Sequence, residues 1–264
     1  MKKNLAVFLI VCSALVMGLT SYASKVDVSK CTEPREYKTP DGKVFRYRWA
    51  EKLPDDGSKV PLVLFLHGAG ERGTNNCAQL RHGIRELLVW LNAREKGYRL
   101  VAGQVPCGKR WVEVDWSAKS HVMPAEPSET MALQIKFLDE LLSDSRTDVS
   151  RVYVTGISMG GYGTWDLISR RPMVFAAALP ICGGGDVRQA AKIASVPVWT
   201  FHGSADDAVP VCRSRDMMSA LWSAGSNAHY REYPDAGHGV WGATYGDGAV
   251  LSWFFRQRRQ ASGK

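Results

Sequence analysis

A serine lies between two glycines where a predicted strand gives way to a predicted helix. Residues 156–160 read Gly-Ile-Ser-Met-Gly and follow the apolar run 151–155. On such a sharp turn a serine hydroxyl stands at the apex, because the glycines leave room for neighbouring backbone. The start of the following helix adds partial positive charge, which favours a developing oxyanion. The pattern therefore predicts that Ser158 is a nucleophile.

The two partners that a nucleophilic serine needs follow in the order acid, then base. A strand pattern at 196–201 leads into a loop with Asp206 and Asp207, and another at 228–233 leads into a loop with His238. Histidine can take the hydroxyl proton near neutral pH, and a carboxylate fixes its tautomer and stabilises the imidazolium. Neighbouring residues of extended chain point in opposite directions, and the residues alone do not decide which aspartate faces the histidine. The order predicts a serine–histidine–aspartate set.

A glycine-rich loop after an apolar strand predicts the place where an oxyanion is stabilised. Residues 61–66 are apolar, and 67–73 read His-Gly-Ala-Gly-Glu-Arg-Gly. Glycines let the backbone turn an N–H group into the site, and the residue after a nucleophilic serine supplies a second donor. We predict Ala69 and Met159 as the two donors, with Gly70 as the alternative to Ala69.

Three further side chains are candidates for substrate contact. Trp111 and His121 lie in the irregular segment 111–126, and Trp241 follows His238 by three residues. Loops commonly carry binding residues, which favours a cleft wall at these positions. The alternatives are a packed surface loop for 111–126 and a core anchor for Trp241.

Other histidines are interpreted as structural or surface residues: His82, His202 and His229. His202 directly precedes the acid loop, which favours a role in the turn over a role as a base. No closely spaced cysteine and histidine set matches a structural zinc site, so no metal is predicted.

Strand and helix patterns alternate along the chain after a predicted antiparallel hairpin at 35–51. The predicted strands are 61–67, 99–104, 150–155, 175–180, 197–202 and 228–233, and the predicted helices are 77–91, 127–144, 159–171, 211–224 and 248–260. Such alternation predicts an α/β fold with a mainly parallel sheet and helices on both faces. No insertion between the later strands is long enough for a large cap domain, so we expect an open site.

The first 23 residues are predicted to be a secretory signal peptide. Lys2 and Lys3 precede the apolar run 5–19, and residues 21–23 read Ser-Tyr-Ala at the cleavage spacing. Because the run is short for a bilayer span, no stable membrane anchor is expected. Residues 24–264 are predicted to form one catalytic domain of a secreted or periplasmic protein.

Export permits disulfides among the cysteines. The chain has six cysteines, of which one lies in the predicted signal peptide. Cys77 with Cys107 and Cys182 with Cys212 are the expected pairs, because each pair follows neighbouring predicted strands. Cys31 is left over, and free buried thiols are the alternative.

The composition fits one globular enzyme domain. The chain has 264 residues, a hydrophobic fraction of 45% and a formal net charge of +8. A basic surface favours anionic partners, but no repeat of aromatic and basic residues indicates nucleic-acid binding. The oligomeric state does not follow from the sequence.

Together these motifs resemble those of secreted α/β-hydrolase esterases of the phospholipase/carboxylesterase type, also labelled predicted peptidases. Feruloyl esterases and polyhydroxybutyrate depolymerase-like enzymes are related to them. The matching stretches are LVLFLHGAGERGTNN, GKRWVEVDW, VYVTGISMGGYGTWDL, FAAALPICGGGD, VPVWTFHGSADDAVPV and YPDAGHGVW. In such esterases the acid is the third residue after His-Gly, which assigns Asp206, and the Ala-Gly-His histidine matches His238.

The resemblance implies an α/β-hydrolase fold and an acyl-enzyme mechanism without metal or organic cofactor. The implied substrates are small-molecule or polysaccharide-linked carboxylic esters of the short acyl or feruloyl type. Two alternatives stay open: a serine peptidase or amidase on the same scaffold, and a non-catalytic carbohydrate-binding relative. The intact serine, aspartate and histidine set argues against the second.

Overall fold

Eight strands form one sheet in the computed structural model of the protein, which describes residues 26–259. The strands are β1 (Glu33–Lys38), β2 (Val44–Lys52), β3 (Val60–Leu66), β4 (Tyr98–Gln104), β5 (Thr147–Ile157), β6 (Ala177–Ile181), β7 (Trp199–Gly203) and β8 (His229–Tyr233). Their order across the sheet is β1-β2-β4-β3-β5-β6-β7-β8. Strands β3 to β8 run parallel, and β1 and β2 form the predicted antiparallel hairpin at one edge.

Helices cover both faces of the sheet. They are α1 (Ile84–Arg94), α2 (Glu129–Ser143), α3 (Met159–Arg170), α4 (Ala190–Ile193), α5 (Cys212–Ser223), α6 (Trp241–Gly246) and α7 (Gly248–Arg256). One buried cluster packs α2 to α5 on one face, and a second packs α1, α6 and α7 on the other. The predicted α/β-hydrolase fold with helices on both faces is confirmed. Helix α1 begins later than predicted, because Gly83 with φ of 77° separates it from a short 3₁₀ turn.

The central strands are buried on both sides, which explains their apolar sequences. Every residue of β3 and of β4 is buried. Side chains of β3 alternate between the two clusters, since Leu64 faces one and Phe65 the other. A strand covered by helices on both faces needs an almost continuous apolar run, and 61–66 supplies it.

Close backbone contact fixes α3 against the ends of β3 and β5. A Cβ atom placed on Gly160 would lie 1.8 Å from the Leu66 carbonyl oxygen, and one on Gly156 would lie 2.3 Å from the Gly160 oxygen. Only glycine fits at both positions without a shift of the backbone. The contact brings the first turn of α3 beside the loop that follows β3.

The cysteine pairs predicted from the sequence are wrong, because all five described cysteines are free. Cys182 is buried, and its thiol donates to the His238 carbonyl oxygen at 3.2 Å. Cys212 begins α5, and its Sγ atom lies 4.0 Å from the Lys119 carbonyl oxygen. Neighbouring strands bring two such residues to the same sheet edge, but the side chains turn to different neighbours.

The predicted signal peptide, residues 1–23, lies outside the described residues and stays a prediction. Within residues 26–259, no helix combines the length and the apolar character that a membrane crossing requires.

Candidate active site

Ser158 occupies the sharp turn between β5 and α3. Its φ of 54° and ψ of −118° lie in the left-handed half of backbone space, which costs energy for a residue with a side chain. Two hydrogen bonds hold the turn: Ser158 N–H donates to the Ile181 oxygen at 2.9 Å, and Tyr162 N–H donates to the Ser158 oxygen at 3.1 Å. The predicted strand, turn and helix are therefore present, with Ser158 at the apex.

A continuous line of hydrogen bonds joins the three side chains selected from the sequence. The Ser158 Oγ atom lies 2.8 Å from His238 Nε2, and His238 Nδ1 lies 2.7 Å from Asp206 Oδ2. Because Nδ1 faces a carboxylate, it carries the proton, and the lone pair of Nε2 faces the serine hydroxyl. The adjacent Asp207 is exposed, so the geometry selects Asp206 from the two aspartates.

The Asp206 carboxylate is fully buried and receives four hydrogen bonds. Oδ1 accepts the N–H groups of Ala208 at 2.9 Å and Val209 at 2.8 Å. Oδ2 accepts from His238 and from His202, whose Nε2 lies 3.1 Å away. Burial acts to raise the pKa of Asp206, but these hydrogen bonds outweigh it and hold the pKa well below its usual range. The carboxylate is therefore ionised at neutral pH and can stabilise a charged imidazole.

The two predicted oxyanion donors lie beside Ser158 at the carboxyl ends of β3 and β5. Ala69 opens a short 3₁₀ turn after β3, and Met159 is the first residue of α3. A Cβ atom on Gly68 would lie 3.6 Å from the Ser158 Cβ, so the loop passes directly next to the serine. Across residues 26–259, neither the Ala69 nor the Met159 N–H donates to another protein group. Both donors are available for an oxygen atom bound beside Ser158.

His67 anchors this loop as a neutral ring. Its Nδ1 lies 2.7 Å from the Gly68 oxygen and must donate to it, while Nε2 accepts the Val105 N–H at 2.9 Å. A second ring proton would face the Val105 donor, so protonation breaks the arrangement. Burial lowers the pKa of His67 to about 4.

His67 therefore makes the fold sensitive to acid. The folded-state pKa lies below the ordinary value of 6.5, so the stabilising contribution is complete above pH 6.5 and is lost as the pH falls through about 4. We expect the difference in unfolding free energy between wild type and His67→Gln to change by about 1.4 kcal/mol per pH unit across this window. Urea unfolding at several pH values between 4 and 7 measures it. If the unfolding free energies of the two proteins change in parallel with pH, His67 is not the acid-sensitive group.

Trp111 does not line a cleft, contrary to the prediction. The residue is completely buried, and its indole N–H donates to the His67 carbonyl oxygen at 3.1 Å. A Cβ atom on Gly163 would lie 2.9 Å from the Trp111 Cβ, so the tryptophan is pressed against α3. Trp111 therefore holds the loop after β3 through its hydrogen bond to His67, and its side chain has no exposed surface to contact a substrate.

His121 is half-buried and lies beside the ring of Tyr162. The ring centroids are 5.8 Å apart, and His121 Nδ1 contacts the Arg213 guanidinium. Burial, with a smaller contribution from Arg213, lowers the pKa of His121 to about 4. His121 is therefore neutral at physiological pH. It lines a pocket of about 360 Å³ together with Lys119, Gly185 and Arg213.

Trp241 lies next to the proposed base. Its ring centroid is 5.4 Å from that of His238 and 5.5 Å from that of His82. It lines an open groove of about 960 Å³, whose other walls include Asn75, Cys77, Arg81, His82, Arg85 and Gly239. Trp241 also packs on the core, so the two readings from the sequence, groove wall and core anchor, both describe it.

His202 and Cys182 contact the site, although the sequence analysis did not select either of them as a site residue. His202 is completely buried and stands four residues before Asp206, and its position directly before the acid loop is the signal for it in the sequence. Ligand atoms of Cys182, His202 and Asp206 lie within 4.8 Å of one another. Burial first, and the Asp206 charge second, raise the pKa of the Cys182 thiol to about 12. A protonated thiol that donates to a carbonyl does not offer a metal ligand, so this cluster fits a hydrogen-bond network better than a metal site.

Comparison with known proteins places the chain among hydrolases. The model of the dienelactone hydrolase family matches residues 96–246. An uncharacterized secreted protein of Arthroderma benhamiae is 26% identical over 238 residues, covering 76% of this chain and 23% of its own length. A bifunctional acetylxylan esterase/xylanase of Neocallimastix patriciarum is 31% identical over 117 residues, covering 40% of this chain and 17% of its own. This chain thus spans less than a quarter of either relative.

A solved structure resembles the chain over most of its length. The crystal structure of a thermostable esterase has 35% sequence identity and a TM-score of 0.77, covering 87% of this chain and 64% of that one. Together with the family match, it confirms the resemblance to α/β-hydrolase esterases that the motifs predicted.

Proposed function

Because the chain belongs to the dienelactone hydrolase family of ester-hydrolysing enzymes, we propose that it hydrolyses carboxylic esters with Ser158 as nucleophile. His238 acts as general base and then general acid, and Asp206 holds and stabilises the imidazolium. The observation that carries the proposal is the unbroken line from Ser158 Oγ through His238 to Asp206, with contacts of 2.8 and 2.7 Å. Both distances suit direct proton transfer and orientation of the ring.

The proposed reaction has two similar halves. His238 Nε2 takes the hydroxyl proton while Ser158 Oγ attacks the ester carbonyl carbon, and the N–H groups of Ala69 and Met159 receive the oxyanion. Collapse breaks the bond to the alcohol oxygen, which leaves with the proton from His238. Water then attacks the acyl-enzyme by the same route and releases the carboxylic acid. No metal or organic cofactor takes part in this scheme.

The position of the base indicates where the alcohol part of the substrate binds. His238 must protonate the leaving oxygen, so the alcohol lies on the His238 side of the scissile bond. Trp241 and the 960 Å³ groove occupy that side. We therefore assign the groove to the alcohol part, which can be as large as a sugar or aromatic group. His121 is the proposed contact for the acyl part, because it lies beside Tyr162, one helical turn after Ser158.

Replacing Trp241 with alanine is expected to weaken binding of bulky alcohols selectively. Loss of the flat indole surface raises KM for 1-naphthyl acetate about 10-fold, whereas KM for ethyl acetate changes less than about 2-fold. Steady-state kinetics with both esters measures the difference. Trp222→Ala is the matched control, since that indole is 51% exposed on α5. Equal changes for the two esters would remove Trp241 from the alcohol site.

Hydrolysis of a panel of esters tests the proposed function. The substrates are p-nitrophenyl acetate, butyrate and octanoate with methyl ferulate, and the acyl profile distinguishes short acyl from feruloyl preference. A phosphonate or phosphate triester such as diethyl p-nitrophenyl phosphate should label Ser158 at one equivalent, located by peptide mass mapping. Folded protein that cleaves no ester and takes the label elsewhere would refute the proposal. Faster cleavage of matched p-nitroanilides would favour an amidase.

We also propose that the protein is secreted or periplasmic. The leader-like residues 1–23 and the similarity to a protein described as secreted support this location. Exported protein is expected to begin near Ser24, which intact mass measurement checks. An exported chain that retains Met1 would contradict the cleavage.

A further inference from the structure

A second histidine donates to the carboxylate that orients the base. His202 is completely buried at the end of β7, and its Nε2 lies 3.1 Å from Asp206 Oδ2. The same oxygen accepts from His238 Nδ1 at 2.7 Å. One carboxylate oxygen therefore serves two imidazole donors, only one of which belongs to the reacting set.

The surroundings of His202 determine which ring nitrogen carries the proton. Nε2 faces two acceptors, Asp206 Oδ2 and the Val209 carbonyl oxygen at 3.1 Å, so this nitrogen must be the donor. Nδ1 lies 2.7 Å from the hydroxyl of Ser214 on α5, which can donate to it. The competing acceptor for that hydroxyl, the Gly183 oxygen, is farther away at 3.4 Å. The contacts fix a neutral ring with its proton on Nε2.

We propose that His202 is a positioning residue for the hydrolytic reaction: held by Ser214, its neutral ring anchors Asp206 and limits the negative charge that Asp206 presents to His238. The proposal rests on the proposed function of Ser158, His238 and Asp206. A donor on Oδ2 withdraws charge from that oxygen, so the carboxylate stabilises the His238 imidazolium less than it would alone. His238 is thereby kept as a base that releases its proton readily to the leaving alcohol.

Two further ionisable groups lie near His202 in the described part of the chain, and both keep one charge state near neutral pH. Among residues 26–259, the ionisable groups placed near His202, besides Asp206 and His238, are Cys182, whose Sγ atom lies within 4.8 Å, and Glu232, its register partner on β8. The Cys182 thiol stays protonated, because burial raises its pKa to about 12. Glu232 on β8 stays ionised, because the ion pair with Arg215 lowers its pKa to about 2. A change in pH dependence after replacement of His202 therefore reflects the interaction of His202 and His238 with Asp206.

Nitrogen NMR of the full-length protein with ¹⁵N-labelled histidine tests the proposal without turnover. We expect the His202 ring of the wild-type protein to show a protonated Nε2 and a bare Nδ1, as its contacts require. In His202→Leu, the titration midpoint of His238 should move up by about one pH unit, because Asp206 loses a donor. His202→Gln carries an amide N–H in place of the Nε2 proton and should restore the wild-type midpoint.

Kinetics supply a second reading of the same effect. In the pH profile of kcat/KM for p-nitrophenyl butyrate, the midpoint of the acidic limb should move to higher pH in His202→Leu. In His202→Gln it should return to the wild-type pH. A proton on Nδ1 of His202, or equal midpoints in wild type and the leucine variant, would overturn the proposal. If the leucine variant does not fold, His202→Ala carries the test, because it also removes the donor to Asp206 Oδ2, and a wild-type midpoint for His238 there would overturn the proposal too. Absence of hydrolysis by wild type would refute the proposed function, while the NMR result would still decide the role of His202.

Discussion

Ser158→Ala is expected to lower kcat/KM for p-nitrophenyl butyrate by on the order of 10⁵-fold, since members of a serine–histidine–acid set act as one unit. The change removes the Oγ atom, which lies 2.8 Å from His238 Nε2. The backbone of the turn keeps its two hydrogen bonds, so the fold should persist. Single-substrate kinetics on the purified variant measures the loss.

A matched serine elsewhere controls for the substitution itself. Ser58 is exposed, and its hydrogen bonds, from the side chain and from the backbone N–H, go to the exposed Asp56 carboxylate. Ser58→Ala should therefore keep wild-type kinetics and melting temperature. A Ser158→Ala protein that melts as wild type yet still hydrolyses the ester at a comparable rate would show that another group is the nucleophile.

Asp206→Asn is expected to lower kcat on the order of 10⁴-fold at neutral pH. The carboxylate receives four donors from two sides, and an amide can accept on one side only. Its NH₂ group must then face either the backbone donors of Ala208 and Val209 or the imidazole donors. In either orientation His238 loses the charge that stabilises its protonated form. Where the NH₂ group faces the imidazoles, Nδ1–H of His238 also loses its acceptor.

The neighbouring aspartate offers a control one residue away. Asp207→Asn removes the same charge from the same loop, but its side chain is exposed. We expect kcat to stay within about 2-fold of wild type, as for most exposed substitutions. Comparable losses in the two variants would mean that net charge of the loop, and not the bond from Asp206 to His238, supports hydrolysis.

Much of the geometry around Ser158 follows from local sequence. Glycines at 156 and 160 mark the place where α3 meets the ends of β3 and β5. The backbones approach so closely there that a Cβ atom at either position would overlap a neighbouring backbone atom. Parallel strands place the loops after β5, β7 and β8 at one sheet edge, so the order serine, aspartate, histidine brings the three side chains together. Their catalytic roles stay predictions.

The features that could not be predicted from the sequence depend on the directions in which loop side chains point. Asp206 and Asp207 are equivalent by residue type, and a turn of the chain decides which one is buried. The indole of Trp111 points under α3 because its N–H finds the His67 carbonyl oxygen, a contact between residues 44 positions apart. Cys182 and Cys212 do not pair, because their side chains point toward different residues, His238 and Lys119. For His202 the sequence indicated a role in the turn before the acid loop, but not its contact with Asp206, because the ring is held by Ser214, 12 residues later.

The wide spacing of the three residues has a consequence for biosynthesis. His238 lies 80 residues after Ser158 and 32 after Asp206, on the loop that follows the last strand of the sheet. A chain that is still emerging from the ribosome can complete the turn at Ser158 long before it contains this histidine. Under the proposed mechanism, the serine has no base until β8 has joined the sheet edge, and the nascent protein is inert toward esters. The proposed mechanism therefore exposes the producing cell to hydrolytic activity only after synthesis of the domain is essentially finished.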